Sequence, residues 1–78
     1  MAEKTDANRI KEVYKLCVEH FGDVHFVGVK YQTKIGWIAK VELGDEFENL
    51  TADGKTSTDA LKKLKNRVKK IIKRYNEV

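Results

Sequence analysis

The chain has one cysteine, no proline and five scattered glycines in 78 residues. A lone thiol closes no intramolecular disulfide, so a chain of this size rests on its apolar core and fits a reducing cytoplasm. Without proline, and without a Gly-Ser stretch, repeat or low-complexity segment, nothing divides the sequence, and residues 1–78 read as a single small domain. Apolar runs never exceed three residues, as at Leu16-Cys17-Val18 and Trp37-Ile38-Ala39, which excludes a transmembrane helix and a secretory hydrophobic region. What is present is a globular balance: 41% apolar and 36% charged residues are too hydrophobic for a disordered chain.

One further scarcity is local. Residues 60–76 hold eight Lys and Arg and no Asp or Glu, whereas residues 1–59 hold eight basic and eleven acidic side chains. The formal charge of +4 is modest, but it is concentrated at one end of the chain. That polarity is the main functional signal.

The hydrophobic period changes along the chain. Met1 to Asp6 is a polar, frayed lead-in in which Thr5 and Asp6 each offer a side-chain oxygen as an N-cap. Ile10, Val13, Tyr14, Cys17 and Phe21 then form one stripe at helical spacing, with Lys11, Lys15 and Glu19 facing away, and Gly22 ends the helix. From Val24 to Tyr31 the period is two. Val27, Val29 and Tyr31 share a face with His25, while Val24, Phe26, Gly28 and Lys30 share the other. Ile35 to Leu43 alternates as a half-buried strand with Ile35, Trp37, Ala39, Val41 and Leu43 on one side. A loop of Gln32, Thr33 and Lys34 sets Tyr31 opposite Ile35 and Val29 opposite Trp37, which keeps both apolar sets together.

Gly44-Asp45 marks a turn before a third strand, Glu46 to Ala52. A two-residue loop would place Glu46, Glu48 and Leu50 beside the Trp37 face. A three-residue loop with a bulge would place Phe47, Asn49 and Thr51 there, and is favoured because it pairs Phe47 with Leu43. Thr56 and Asp59 then have capping-box spacing, and Leu61, Leu64, Val68, Ile71, Ile72 and Tyr75 predict an amphipathic helix from about Thr58 to Tyr75, roughly 27 Å long. The expected class is α+β: an α-β-β-β-α chain folded as a three-stranded antiparallel meander with both helices on one face.

The outer surface of the last helix is the first candidate site. Lys63, Arg67, Lys70 and Arg74 follow one another at helical spacing, and Lys62, Asn66, Lys69 and Lys73 form a second row beside them, flanked by Lys65. Like charges at this spacing destabilise an isolated helix by a few tenths of a kcal/mol per pair, about 0.2–0.5. A solvated helix face is one explanation, and the helix dipole favours Lys73 and Arg74 at the C-terminal end. The dipole opposes Lys62 and Lys63, which a polyanion would favour: six cations, Lys62, Lys63, Arg67, Lys70, Lys73 and Arg74, could lie along nucleic-acid phosphates without reading sequence. An acidic protein is the other partner such a row would suit.

A second candidate is the sheet face away from the helices, where Phe26 and Ile38 would stand among Lys30 and Lys40, with Val24 and, in the favoured register, Leu50. An aromatic between lysines can stack a base or meet a protein, and the face or its edge strands could pair with a second copy. Glu42, Asp45, Glu46 and Glu48 make the second hairpin acidic, either as edge charges against aggregation or as a docking surface for a basic partner. Cys17, His20, Asp23 and His25 follow no zinc-ligand spacing, and Cys17 lies on the apolar stripe, so no metal is expected. No nucleophile has a base and an orienting group, and no glycine-rich phosphate loop follows a strand. Neither catalysis nor a cofactor is therefore expected.

From Ile10 to Tyr75 the order of elements resembles the double-stranded-RNA-binding domain and is similar to the small Alu-binding proteins of the signal recognition particle. The stretch Gly36-Trp37-Ile38-Ala39-Lys40-Val41, followed by Ser57 to Leu64, also looks like part of HicB-type antitoxin domains. The first resemblance implies RNA contacts from Lys11 and Lys15, from the loop Gln32-Thr33-Lys34, and from the start of the last helix, Thr58 to Lys63. The family's Gly-Pro-x-His loop is missing, and Asp59 stands where a cation would be expected, which moves the expected contacts to the body of the helix. The sequence thus predicts a cytoplasmic, non-catalytic nucleic-acid-binding domain, monomeric or homodimeric, with no membrane partner. A protein-interaction or regulatory module, dimeric through the open sheet face, is the alternative.

Overall fold

The computed structural model describes residues 5–44 and 48–76. Two helices and three strands follow one another as α1 (Asp6–Phe21), β1 (Val24–Gln32), β2 (Gly36–Leu43), β3 (Leu50–Gly54) and α2 (Ser57–Asn76). The strands form one antiparallel sheet in the order β1-β2-β3. Among the described residues no helix is long and apolar enough to cross a membrane.

Capping sets both helix starts. The Thr5 hydroxyl accepts a hydrogen bond from the Asn8 N–H at 3.1 Å, and the Thr56 hydroxyl accepts one from the Asp59 N–H at 3.1 Å. Each satisfies an N–H that the first turn leaves without an intrahelical acceptor. At the other end of α1, Gly22 takes φ +82°, where a side chain would be strained, and its N–H reaches the Val18 carbonyl at 3.0 Å.

Both helices pack on one face of the sheet and share one core. Val13 and Cys17 of α1 and Leu61, Leu64, Val68 and Ile72 of α2 enclose Ala39, Val41 and Leu43 of β2, together with Ala52 and Ala60. The stripe read from α1 needs one change. Tyr14 is half-exposed, and Leu16 packs against the core.

From Phe26 onward the β1–β2 hairpin keeps the expected faces but not the expected partners. Tyr31 lies opposite Trp37 and Val29 opposite Ala39, two residues along from the sequence reading. The connection is made by Thr33, Lys34 and Ile35: the Ile35 N–H donates to the Gln32 carbonyl at 3.1 Å, and Lys34 and Gly36 take φ of +76° and +104°. Because side chains alternate with a period of two, a shift of two leaves every residue on its own side. Trp37 and Tyr31 meet edge to face with ring centroids 5.4 Å apart.

Two strand assignments are corrected. A bulge between Val24 and Phe26 sets Val24 opposite Leu43, so Val24 packs against the core instead of joining Phe26 on the open face. In β3, Leu50 pairs with Val41, Ala52 with Ala39 and Gly54 with Trp37. Leu50 and Ala52 thus share the Trp37 face and Thr51 does not, against the favoured three-residue loop; the pairing expected for Phe47 lies outside the described residues. Close approach of α2 explains the choice. A Cβ on Gly54 would stand 2.6 Å from the Ala60 nitrogen, and Ala52 is 4% exposed. Only small side chains fit where the start of α2 crosses the strand, and Ala52 and Gly54 supply them.

The two helix starts are also tied together. The Asp6 carboxylate accepts hydrogen bonds from the hydroxyls of Ser57 and Thr58, the latter at 2.8 Å, and lies 3.5 Å from the Arg9 guanidinium. Asp6, read from the sequence as frayed, is therefore part of the fold. The Ser57 hydrogen bond, followed by that of Thr58, holds its carboxyl below the usual aspartate range; burial opposes them, and Arg9 adds a smaller lowering effect. A carboxyl with a depressed folded pKa contributes stability that is complete above its unfolded pKa and lost as the pH falls through the folded value. Because Asp6 stays one-third exposed, Asp6→Ala is expected to cost only about 1 kcal/mol at neutral pH. Acid titration of unfolding should show that difference shrinking below the usual aspartate range.

Candidate nucleic-acid interface

Burial of Leu61, Leu64, Val68 and Ile72 turns the opposite arc of α2 to solvent. Lys62, Lys63, Asn66, Arg67, Lys69, Lys70, Lys73 and Arg74 are all exposed there. From Lys63 to Arg74 the row runs about 16 Å at about 1.5 Å per residue. The structure therefore brings together the six cations singled out in the sequence.

Two neighbours bound this surface. On the side toward α1, Lys65 Nζ meets Glu12 Oε2 at 2.7 Å, so Lys65 is neutralised. On the side toward β3, Arg67 donates through Nη1 to the Thr51 carbonyl at 2.7 Å, which holds its guanidinium against the sheet edge. A shallow groove of about 320 Å³ follows this second side, lined by Ala52, Asp53, Lys63, Asn66, Arg67 and Lys70. Among the described residues, Lys62, Lys63, Lys69, Lys70, Lys73 and Arg74 make no ion pair. Neither the Lys65–Glu12 pair nor the Arg67–Thr51 bond was visible in the sequence, because both join residues far apart along the chain.

The start of α2 offers less. Ser57 and Thr58 are engaged by Asp6, and the Asp59 N–H is engaged by Thr56. Thr58 and Asp59 open the stretch from which the double-stranded-RNA-binding likeness would draw contacts, and its exposed cations, Lys62 and Lys63, begin the row that continues along the helix body.

On the open sheet face, Phe26, Lys30, Ile38 and Lys40 do come together, around a depression of about 260 Å³ that Gly28 and Glu42 also line. The Phe26 ring, half-exposed, lies over Gly28, where a Cβ would come within 2.6 Å of it. Lys40 Nζ pairs with Glu42 Oε1 at 3.0 Å, so this face carries less free positive charge than α2.

The cysteine and histidine residues are separated. Cys17 is buried in the core, and desolvation pushes its thiol up to about 11. His25 Nε2 and Asp23 Oδ2 are 3.1 Å apart at the surface. Among the described residues no group of three His, Cys, Asp or Glu is placed to hold a metal ion. A buried thiol with a raised pKa reacts only when the structure opens. Labelling of Cys17 by a thiol reagent is expected to be slow in native buffer, limited by opening of the structure, and to become fast in denaturant.

Compared with protein families, with curated proteins and with solved structures, the chain matches none of them. Its α-β-β-β-α order with an antiparallel sheet is a likeness in layout to the double-stranded-RNA-binding domain.

Proposed function

We propose that this protein is a cytoplasmic, non-catalytic nucleic-acid-binding domain that grips the phosphate backbone with the outer face of α2. Lys62, Lys63, Lys70, Lys73 and Arg74 supply exposed charges, and Arg67 supplies one held by the Thr51 carbonyl. The observation that carries this reading is the exposed arc of cations with no ion-pair partner among the described residues. Each phosphate neutralised releases condensed counterions, so such a surface gains affinity from salt-sensitive contacts and little from base identity. Arg67 beside the β3 groove presents a planar donor set suited to a phosphate, and the lysines beside it act as point charges.

The open sheet face favours the second reading, a module that binds a protein. There the half-exposed Phe26 and Ile38 lie beside a Lys40 already paired with Glu42, a mixture closer to a protein contact than to a phosphate track. Chemical-shift mapping against short single-stranded and duplex RNA and DNA separates the two. Perturbations clustered on residues 62–74 are the expected result. Perturbations confined to residues 24–40, or none at low salt with any of these nucleic acids, would remove the phosphate-binding reading.

A further inference from the structure

The two edges of the sheet differ. β3 is five residues long, and the Thr51 carbonyl that points away from the sheet is already taken by Arg67. β1 is nine residues long, contains no proline and, among the described residues, is hydrogen-bonded to β2 alone. The direction of its backbone groups follows from the same Thr51 carbonyl. In an antiparallel ladder, residues alternate between directing both groups to one neighbour and directing both to the other. Thr51 points outward, so Lys40 opposite it points toward β1 and is met there by Gly28. Val27, Val29 and Tyr31 therefore direct their N–H and C=O groups to the outside, and among the described residues no backbone group pairs with them.

The helix beside this edge carries two exposed apolar side chains on its outer flank, with Lys11 and Lys15 next to them. Glu12, through Lys65, marks the side of α1 that faces α2. Tyr14 and Val18 lie on the other side of the helix at a spacing of four, 49% and 36% exposed, and α1 packs on β1. A bare strand edge and an exposed apolar pair thus occupy the same side of the molecule.

We infer that this side, the β1 edge with Tyr14 and Val18, is where a second copy of the chain docks. Antiparallel pairing of β1 with its counterpart about Gly28 sets Val27 opposite the partner's Val29, which satisfies the outward backbone groups of both residues in both copies. On the open face the same register brings Phe26 opposite the partner's Lys30, a cation beside an aromatic ring. By helical rise the midpoint of Tyr14 and Val18 lies about 8 Å from the α1–β1 turn, and by strand rise Gly28 lies about 13 Å from it, so the apolar pair stands within about 5 Å of the level of Gly28. An edge about 30 Å long across two layers about 20 Å deep buries roughly 1,200 Å² in total, the lower end of specific interfaces. The dimer is accordingly weak and concentration-dependent, and it joins two three-stranded sheets while setting both α2 cation rows on the same side. This inference stands apart from the phosphate-binding reading, because none of its residues lies on α2.

Sedimentation of the full chain from roughly 10 µM to 1 mM, combined with amide hydrogen exchange, tests it. The expected result is a monomer–dimer equilibrium in which exchange at Val27, Val29 and Tyr31 slows by at least about tenfold as concentration rises. Phe26, Gly28 and Lys30, paired to β2, should not change. Tyr14→Glu with Val18→Lys, both at exposed positions, should leave the thermal transition in place and give a monomer throughout. Val29→Pro, which removes an outward N–H, should also give a monomer, with a lower thermal transition because Val29 packs against the core. A wild-type monomer at the highest concentration overturns the inference, as do exchange rates at these three residues that ignore concentration. A dimer that survives Tyr14→Glu/Val18→Lys but fails with Ile38→Asp overturns it in favour of the open sheet face.

Discussion

Gly54→Ala is expected to lower stability by about 2–3 kcal/mol and the melting temperature by roughly 10 °C or more. The added methyl would lie 2.6 Å from the Ala60 nitrogen, 2.9 Å from Asp59 Cβ and 3.0 Å from the Asp59 carbonyl carbon, so backbone has to move. What must shift is the first turn of α2, which also carries the Thr56 cap and the Ser57 and Thr58 bonds to Asp6. Restricting the unfolded chain returns only about 0.4–1 kcal/mol. Gly28→Ala is the control. There the obstructing atom is the rim of the Phe26 ring, 2.6 Å away on the open face, which can swing aside at a cost of less than about 1 kcal/mol. Thermal unfolding of both variants decides the point. A melting temperature for Gly54→Ala within a few degrees of wild type would contradict the β3 register and the close crossing of α2.

Lys63→Glu combined with Lys70→Glu is expected to reduce nucleic-acid affinity at least about a hundredfold near 0.1 M salt, because each phosphate left without its cation there weakens binding about tenfold. Both side chains are exposed, line the β3 groove and make no ion pair among the described residues, so the fold should not suffer. The new carboxylates would face Arg67 and Arg74 at helical spacing, where opposite charges contribute about 0.2–0.5 kcal/mol per pair in place of repulsion. The double variant should therefore melt no lower than wild type. Electrophoretic or fluorescence titration against a short duplex, alongside a melting curve, separates a binding defect from a folding defect. Unchanged affinity in a folded double variant would remove α2 as the binding surface.

The helices were legible because their signals are local. Thr5, Gly22 and Thr56 sit at the ends of runs with a period near 3.6, and the same period places Lys62, Lys63, Lys70 and Lys73 opposite Leu61, Leu64 and Val68. Face assignment in the first hairpin survived a two-residue shift in partners for the reason that strand side chains alternate. Errors arose where tertiary contact overrode local pattern. The bulge that turns Val24 inward leaves no mark in an alternating sequence. The favoured three-residue loop put Thr51 on the Trp37 face, whereas α2 needed Ala52 and Gly54 beneath it. Tyr14 fitted the apolar stripe of α1 by spacing, but it stands at the margin of that stripe, where only the position of the sheet decides exposure. For the candidate site, the cations and their exposure could be read from the period. The tether of Arg67 to Thr51 and the capture of Lys65 by Glu12 could not.

The central claim is that the exposed cations of α2 meet a phosphate backbone, and salt dependence tests it most directly. Affinity for a short duplex and for a single strand, measured across a range of salt concentrations, should fall linearly on logarithmic axes. Six engaged cations give a slope of about −5 for a duplex, at about −0.9 per phosphate. A slope near zero, or no binding to either nucleic acid at the lowest salt, would contradict the account.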